Sequence, residues 1–205
     1  REVAAYLREH SAEGVKFDVV ANPEFLREGS AVEDFMRPNR VVIGVESERS
    51  AEIMKKVYRP LYLIETPIVF TDLETAELVK HASNAFLATK ISFINEIAAI
   101  SELVGANVDD VAKSMGLDQR IGPKFLHAGV GFGGSCLPKD ISSLYHLAVS
   151  KGYKTGIIGA ISDLNKGLPA KAVQKVRDEI GGLESKTIGI LGLAFKPNTD
   201  DLRDA

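Results

Sequence analysis

The sequence has few of the features that mark disulfide-rich, membrane or nucleic-acid-binding proteins. Its 205 residues include one cysteine, so an intrachain disulfide is excluded and a reducing compartment, the cytoplasm, is expected. No uncharged apolar run of roughly 18 residues occurs, so no membrane span is expected. The net charge of -3 gives no reason to expect a nucleic-acid surface. The four histidines lack metal-ligand spacing with the cysteine, so no metal site is expected.

The two ends of the chain also lack the marks of a complete protein. The sequence starts at Arg1 without an initiator methionine or an apolar signal region, in a stretch typical of a helix interior. It stops at Ala205, shortly after a predicted strand. We therefore expect a fragment of a longer protein.

Apolar runs alternate with amphipathic stretches, which is typical of an α/β protein with a parallel sheet. Strands are predicted at residues 17–21, 40–45, 67–70 and 187–193. Helices are predicted at residues 1–13, about 49–60, 108–115, about 137–151 and about 157–180. The last strand contains Gly189 and Gly192; it lacks the third glycine of a dinucleotide fingerprint but suits the first strand of a second Rossmann-like unit.

One long helix is predicted between the strand at residues 67–70 and the helix at residues 108–115. Thr71 and Glu74 have capping-box spacing, and neither proline nor glycine follows until Gly105, so the helix would span roughly 50 Å. Its apolar residues cover more than one face: Leu78, Phe86, Leu87, Ile91, Phe93, Ile94, Ile97 and Ile100. A helix that is apolar on most sides is buried, and we expect a partner subunit to cover part of it. A core helix in a monomer is the alternative.

Cys136 has the strongest chemical signal. It follows the Gly-rich residues 131–134 and precedes a predicted helix with Pro138 in its first turn. Glycines let the backbone approach a ligand closely, and a helix N-terminus favours an anion such as a thiolate. A free cysteine is also often a small buried hydrophobic residue, but the polar, Gly-rich surroundings favour the reactive interpretation.

Further polar residues have spacings that suit a site. Lys80 and Asn84 lie four apart on the long helix, where they could orient a hydroxyl or stabilise an oxyanion, or form a solvated stripe. Asp140 lies four residues after Cys136, where its carboxylate could activate water or serve only as a first-turn helix charge. Glu24 and Glu28 follow a predicted strand end, where ligands bind in parallel sheets, although loop glutamates are commonly solvated.

Four segments resemble the UDP-glucose/GDP-mannose dehydrogenase family in order and spacing. They are residues 22–30 (NPEFLREGS), 80–86 (KHASNAF), 131–140 (GFGGSCLPKD), and 192–203, where GLAFKP and DDLR match. The resemblance spans essentially the whole chain, and the cysteine segment is highly specific.

The resemblance implies a two-step oxidation of a primary alcohol to a carboxylate with two NAD. Cys136 would attack the intermediate aldehyde, and a thiohemiacetal would lose hydride to give a thioester that water hydrolyses. Lys80 and Asn84 would hold the reacting oxygen. Asp140 would assist water and proton transfers, and Glu24 would act as an acid/base in thioester hydrolysis.

The resemblance also assigns residues to ligands. Positions near NAD match Glu28, Lys139 and Arg203. Positions around the sugar nucleotide match Glu24, Phe25, Leu26, Arg27, Glu28, Lys80, Asn84, Arg120, Phe132, Gly133 and Lys196, with Arg120 reaching the site of a partner subunit.

We therefore expect NAD-dependent oxidation of UDP-glucose to UDP-glucuronate by a homodimer or higher homo-oligomer that pairs through its central helices. The fold class expected is α/β plus all-α: residues 1–71 end a Rossmann-like NAD-binding domain, residues 72–182 form a helical dimerisation domain, and residues 183–205 start a second Rossmann-like domain. Alternatives are another sugar nucleotide, such as GDP-mannose or a UDP-N-acetylhexosamine, and a truncated, non-catalytic dimerisation module. N-acetyl-sugar members usually differ around the cysteine, which favours glucose. Without the family's N-terminal Gly-rich loop, the fragment alone is expected to bind NAD weakly and to turn over negligibly.

Overall fold

The first compact unit, which ends at Lys80, combines a two-stranded parallel sheet with short helices. The computed structural model describes residues 2–205, apart from the side chains of residues 62 and 63; residue 1 of the predicted N-terminal helix lies outside them. The helices are α1 (Glu2–His10), α2 (Ala31–Met36) and α3 (Glu48–Val57), followed by a 3-10 helix (Arg59–Ile64). The strands are β1 (Val41–Gly44) and β2 (Ile68–Thr71).

The sheet confirms two of the predicted strands. Val41 pairs with Ile68 and Gly44 with Thr71 in parallel register. All four residues of β1 are buried, as expected for a parallel strand whose apolar run is continuous.

The strand predicted at residues 17–21 is wrong. Only Ala21 forms a bridge, and it is antiparallel: Ala21 and Gly44 exchange N–H···O bonds of 3.0 and 2.7 Å. Past Ala21 the side chain of Asn22 donates to the Val42 carbonyl oxygen at 2.8 Å, and Pro23 has no N–H to donate, so the pairing does not continue. Residues 17–20 have no strand partner among the described residues, so only one residue of the predicted strand pairs.

The predicted long helix is confirmed as α4 (Leu73–Val104), whose 32 residues span about 48 Å. Its N-terminus differs by one residue from the prediction, since Thr71 is the last residue of β2. Asp72 caps the helix instead: its Oδ1 accepts from the Thr75 N–H at 2.6 Å and its Oδ2 from the Thr75 hydroxyl at 3.0 Å. Aspartate satisfies the exposed first-turn N–H groups as well as threonine would.

The second compact unit, His81–Ala205, is helical. It contains α5 (Val108–Gly116), α6 (Leu137–Ser150) and α7 (Ile157–Glu179), close to the predicted ranges. Its core is a cluster of Ala88, Ile141 and Ile161, against which Phe132 and Ile158 pack. The core therefore brings α4, α6 and α7 together directly beneath the loop that precedes Cys136.

The strand predicted at residues 187–193 is not formed. The segment is irregular and its apolar side chains are open to solvent, Leu191 completely so. A strand is stabilised by hydrogen bonds to a neighbour, and within residues 2–205 this segment pairs with none. Among the same residues, no helix is both long enough and apolar enough to cross a bilayer.

Candidate active site

Cys136 lies at the N-cap of α6 and its side chain is exposed. Its carbonyl oxygen accepts from the Asp140 N–H at 2.9 Å, which closes the first helical turn. The sulfur makes no capping bond to α6 and lies 3.6 Å from the Ser135 hydroxyl oxygen. The alternative of a small buried hydrophobic residue is therefore wrong, and the predicted position at a helix N-terminus is confirmed.

Asp140 is buried and hydrogen-bonded on both oxygens. Its Oδ2 accepts from Asn84 Nδ2 at 2.5 Å, and its Oδ1 accepts from Lys139 Nζ at 2.5 Å. The Nδ1 of His81 lies 3.8 Å from Oδ1 and has no hydrogen-bond partner among the described residues. Asp140 lies in the first turn of α6, as predicted, but it is 1% exposed and paired on both oxygens, so it is more than a first-turn helix charge.

The protonation state of Asp140 follows from opposing effects. Burial alone raises the pKa of Asp140, but the hydrogen bonds from Lys139 and Asn84, together with the charges of Lys139 and His81, outweigh it and bring the pKa below its ordinary value. The carboxylate is thus ionised at neutral pH. It is a weak base that is suited to accepting hydrogen bonds and orienting its neighbours.

Lys80 and Glu24 form a second cluster, within the first unit. Lys80 Nζ lies 2.9 Å from Glu24 Oε1, and Glu24 Oε2 accepts from the Leu26 N–H at 2.6 Å. The Lys80 side chain is only 17% exposed, so the solvated-stripe alternative does not describe it. Its ammonium and the Arg40 guanidinium lie 5.7 and 3.6 Å from the Phe25 ring centroid. The position of Lys80 Nζ is therefore set by Glu24 and the Phe25 ring.

Arg27 and Glu28 follow in the same loop. The Arg27 guanidinium makes a bidentate pair with Asp34, whose carboxylate also accepts the Arg27 N–H at 2.8 Å. The hydrogen bond from Arg27 is the main reason that the pKa of Asp34 falls to about 2. Glu28 is exposed. The structure therefore gives Arg27 a local carboxylate partner.

The segment that begins at Phe195 packs against the cysteine loop. The Gly134 N–H donates to the Arg203 carbonyl oxygen at 2.9 Å. Gly134 has φ +78°, and a Cβ there would lie 2.6 Å from the Phe195 ring, so only glycine fits. The Asp201 carboxylate accepts from Arg203 and from the Ser135 backbone N–H, and the bonds from Arg203 are the main reason that the pKa of Asp201 is lowered.

The other predicted sugar-nucleotide residues of the second unit lie on loops. Lys196 lies with its ammonium 5.3 Å from the Phe195 ring centroid. Arg120 is largely exposed and pairs with Asp118. Phe132 packs on the core, and Gly133 precedes Gly134 in the cysteine loop.

Sequence reasoning gave no role to His81 or Asp201, although both stood in the matched segments. The signal for His81 was its position three residues before Asn84, where a helix places both side chains on one face. For Asp201 the signal was an Asp-Leu-Arg spacing that lets a carboxylate fold back on its own arginine, as it does at 2.8 Å.

The residues assigned to NAD suit a dinucleotide chemically. The side chains of Lys139 and Arg203 are 68% and 69% exposed, and an ammonium and a guanidinium fit a pyrophosphate. Glu28, which is exposed on the first unit, offers a carboxylate of the kind that accepts ribose hydroxyls.

Comparison with known proteins identifies the family. Residues 74–167 match the central domain of the UDP-glucose/GDP-mannose dehydrogenase family, and residues 1–62 match the family's NAD binding domain. The chain is 50% identical to UDP-glucose 6-dehydrogenase of Rickettsia felis over 202 residues, which are 98% of this chain and 44% of that protein. It is 54% identical to the enzyme of Rhizobium meliloti over 190 residues, 91% of this chain and 44% of that protein.

Solved structures agree with these matches. A UDP-glucose dehydrogenase from Pyrobaculum islandicum superposes with a TM-score of 0.93 at 46% identity, covering 98% of this chain and 46% of that one. A UDP-D-ManNAc dehydrogenase from Pyrococcus horikoshii gives 0.83 at 31% identity, covering 99% and 48%. The chain thus spans less than half the length of these relatives. The predicted fold class, the family resemblance and the NAD-binding character are confirmed.

Proposed function

The chain belongs to the UDP-glucose/GDP-mannose dehydrogenase family, and we propose that the whole protein oxidises UDP-glucose to UDP-glucuronate in two NAD-dependent steps. The observation that carries the proposal is the exposed Cys136 thiol at the N-terminus of α6, one turn from the buried Asp140–Asn84 pair. A reactive thiol lets one site oxidise an alcohol twice, because the intermediate aldehyde stays bound between the two steps.

Cys136 is the nucleophile. Its thiolate adds to the aldehyde carbon and gives a thiohemiacetal, which loses a hydride and becomes a thioester. Water then attacks the thioester carbon and the C–S bond breaks, so that the carboxylic acid is released and the Cys136 thiol is restored.

Asn84 and Lys80 hold the reacting oxygen. One N–H of the Asn84 amide points at Asp140 Oδ2, which fixes the orientation of the side chain. The second N–H is the one we assign to the substrate oxygen. Lys80 supplies a positive charge where the oxyanion develops, and its pairing with Glu24 restricts where that charge can lie.

Asp140 and Glu24 serve the water and proton steps. Because the pKa of Asp140 is lowered by Lys139 and Asn84, Asp140 orients water and the Asn84 amide and is a poor proton acceptor. Glu24 is more than half exposed, so it can exchange protons with solvent during thioester hydrolysis.

The cofactor and the sugar nucleotide are assigned to the other residues that the family resemblance singles out. When bound, NAD accepts the two hydrides. Glu28, Lys139 and Arg203 would hold it. The sugar nucleotide is assigned to Phe25, Leu26, Arg27, Arg120, Phe132, Gly133 and Lys196, besides the residues that hold the reacting oxygen.

UDP-glucose is favoured over other sugar nucleotides by the pattern of identities. Relatives named UDP-glucose 6-dehydrogenase are 48–54% identical to this chain, whereas the UDP-D-ManNAc dehydrogenase is 31% identical. Sugar choice depends on pocket shape, so GDP-mannose and UDP-N-acetylhexosamines are the substrates to compare.

We further propose a homodimer that pairs through α4. Phe86, Phe93 and Ile100 are spaced seven residues apart, so they form one stripe along the helix. Their side chains are 65%, 45% and 48% exposed. A regular apolar stripe in contact with water favours pairing with a second helix. This stripe is also the feature that favours the second candidate, a non-catalytic dimerisation module, and the thiol chemistry separates the two.

The three-part domain division at residues 71 and 182 stays part of this proposal. The family models support the first boundary, since one ends at residue 62 and the other begins at residue 74. The single cysteine supports a cytoplasmic, reducing location.

The test is the ratio of NADH formed to UDP-glucose consumed by the whole protein, beside a Cys136→Ser variant. We expect two NADH per sugar from the wild type and almost none from the variant. GDP-mannose and UDP-N-acetylglucosamine are run in parallel to identify the sugar. Iodoacetamide labelling at neutral pH, with Cys136→Ser as the blank, measures whether the thiol is reactive.

Each outcome decides between the candidates. One NADH per sugar, with the variant still active, would replace the thiol mechanism by an ordinary alcohol oxidation. Turnover of GDP-mannose alone would keep the chemistry and change the substrate. A dimer with an inert cysteine and no turnover of any sugar nucleotide would favour the dimerisation module.

A further inference from the structure

Two asparagines on different helices hold the loop at residues 129–132. The proposed function gives neither asparagine a role. Asn165, on α7, makes two hydrogen bonds to one residue: its Oδ1 accepts from the Phe132 N–H at 2.9 Å, and its Nδ2 donates to the Phe132 carbonyl oxygen at 3.0 Å. Asn95, on α4, accepts the Gly129 N–H with its Oδ1 at 2.9 Å. The loop is thus fixed at both of its ends by side-chain amides.

The side-chain amide of Asn95 is also hydrogen-bonded through both its oxygen and its nitrogen. Asn95 is 6% exposed, and its Nδ2 donates to the Ile91 carbonyl oxygen at 2.9 Å, so its carboxamide is bonded through both atoms. Asparagine is a poor residue for a helix interior, because its side chain competes for backbone hydrogen bonds. Placing one in the middle of both α4 and α7 opposes helix formation, and bonds to the loop compensate for it.

The backbone of the loop is shaped to receive Asn165. Gly131 has φ +104°, which favours glycine, and a Cβ there would collide with Asn165 Oδ1. It would also lie 3.2 Å from Leu168 Cδ1. The next residue, Phe132, turns its ring onto Ala88, Ile141 and Ile161 in the core. The amide bonds and the ring together leave Phe132 a single position.

We propose that Asn165 and Asn95 are positioning residues that fix residues 129–132 for the sugar nucleotide. The inference rests on the proposed function, which assigns Phe132 and the adjacent Gly133 to that ligand. Loop residues that are ordered before binding lose less conformational freedom when the ligand arrives, so a loop held in this way binds more tightly. Neither asparagine reacts with the substrate, and each acts through the loop backbone.

The effect should be confined to sugar-nucleotide affinity. Cys136 sits at the N-cap of α6, where its own carbonyl bond to the Asp140 N–H fixes it independently of both asparagines. Lys139 and Arg203, assigned to NAD, are held by Asp140 and Asp201. Loosening residues 129–132 should therefore raise the KM for UDP-glucose and change the KM for NAD and the cysteine reactivity little.

The experiment uses the whole protein with Asn165→Leu, which removes both bonds to Phe132, and Asn165→Asp, which keeps an acceptor for the Phe132 N–H but sets an oxygen against its carbonyl. Asn39→Asp, at an exposed position of the first unit, is the matched control for the added charge. For the two bonds lost in Asn165→Leu we expect about tenfold faster hydrogen exchange at the Phe132 amide and about a tenfold higher KM for UDP-glucose. Asn165→Asp should fall between Asn165→Leu and the wild type, and the control should match the wild type.

Other readouts separate positioning from a general loss of stability. Unfolding would raise both KM values and speed the alkylation of Cys136, whereas the proposal expects the KM for NAD and the alkylation rate to stay within about twofold of wild type. Unchanged exchange at Phe132 in Asn165→Leu would overturn the hydrogen-bonded loop. Faster exchange with an unchanged KM for UDP-glucose would overturn its link to the ligand. Wild-type protein that does not oxidise UDP-glucose would overturn the proposed function and the sugar part of this inference, while the exchange data alone would still decide whether the asparagines hold the loop.

Discussion

Replacing Asp140 by asparagine removes a charge and keeps the shape of the side chain. The wild-type carboxylate accepts from Asn84 and Lys139, both at 2.5 Å, in a position that is 1% exposed. An asparagine there can present its oxygen to only one of these donors and must turn its NH2 group towards the other. The variant therefore loses one charge-assisted bond outright and weakens the second.

The magnitude follows from those bonds. A hydrogen bond to a charged group contributes about 1.5–3 kcal/mol, so we expect Asp140→Asn to lower the free energy of unfolding by about 2 kcal/mol at neutral pH. If Asp140 acted only as a first-turn helix charge, the loss would be about 0.5 kcal/mol. Asp110→Asn is the matched control, because Asp110 is an exposed first-turn residue of α5. Urea unfolding of the whole protein, followed by helical circular dichroism, compares the two variants.

The pH dependence gives an independent check. A carboxyl group whose pKa is lower in the folded than in the unfolded protein stabilises the fold above the unfolded pKa, and that contribution is lost as the pH falls through the folded pKa. The pKa of Asp140 is lowered from its ordinary 3.8 by Lys139 and Asn84. The difference between wild type and Asp140→Asn should therefore be constant at neutral pH and shrink below pH 3.8.

Equal losses in Asp140→Asn and Asp110→Asn would refute this reasoning. They would mean that the buried bonds contribute nothing beyond the interaction of a carboxylate with the helix dipole. A difference between wild type and Asp140→Asn that grows on acidification would refute the lowered pKa.

Two more predictions concern the proposed chemistry and assembly. Lys80→Met should reduce kcat by about 100- to 1000-fold, the usual effect of losing one oxyanion donor, and should change the free energy of unfolding by less than about 1 kcal/mol. Steady-state kinetics compare it with Lys113→Met, which replaces an exposed lysine of α5. An unchanged kcat in Lys80→Met would remove Lys80 from the mechanism. Phe93→Glu should raise the dimer dissociation constant at least about 100-fold, since a dimer buries two rings worth about 1.5–3 kcal/mol each. Sedimentation compares it with Val173→Glu, at an exposed apolar position of α7, and equal dissociation constants would exclude the stripe from the interface.

The sequence predicted best where a single physical signal dominated. The long helix could be predicted from the absence of glycine and proline along it. Strand β1 could be predicted from its continuous apolar run, which is typical of a parallel strand that is buried on both faces. The strand at residues 17–21 shows the limit of that signal. Its residues are also mainly apolar, but among the described residues only Ala21 pairs, because an apolar run does not by itself supply a neighbouring strand. The strand predicted at residues 187–193 is absent for the same reason, because pairing needs a neighbouring strand and a local apolar pattern does not supply one.

The candidate site divides in the same way. The position of Cys136 at the N-terminus of α6 could be predicted, because the Gly-rich residues before it and the proline in the first turn after it are local signals. The burial of Asp140 could not, because it depends on Asn84, which lies 56 residues earlier in the chain. The two bonds from Asn165 to Phe132 likewise join residues 33 apart. Tertiary contacts decide which of several plausible polar residues becomes a buried partner.

The electrostatics at the start of α6 explain why Lys139 belongs beside Asp140. In the proposed mechanism a thiolate forms at Cys136, one helical turn before the Asp140 carboxylate, and two like charges at one helix end disfavour each other. The ammonium of Lys139, 2.5 Å from Asp140 Oδ1, offsets the carboxylate charge, so that Asp140 can orient Asn84 without opposing the thiolate. A neutral residue at position 140 would also spare the thiolate but would leave Asn84 without a charged acceptor. The aspartate–lysine pair meets both requirements, which an uncharged residue or an unpaired carboxylate would not.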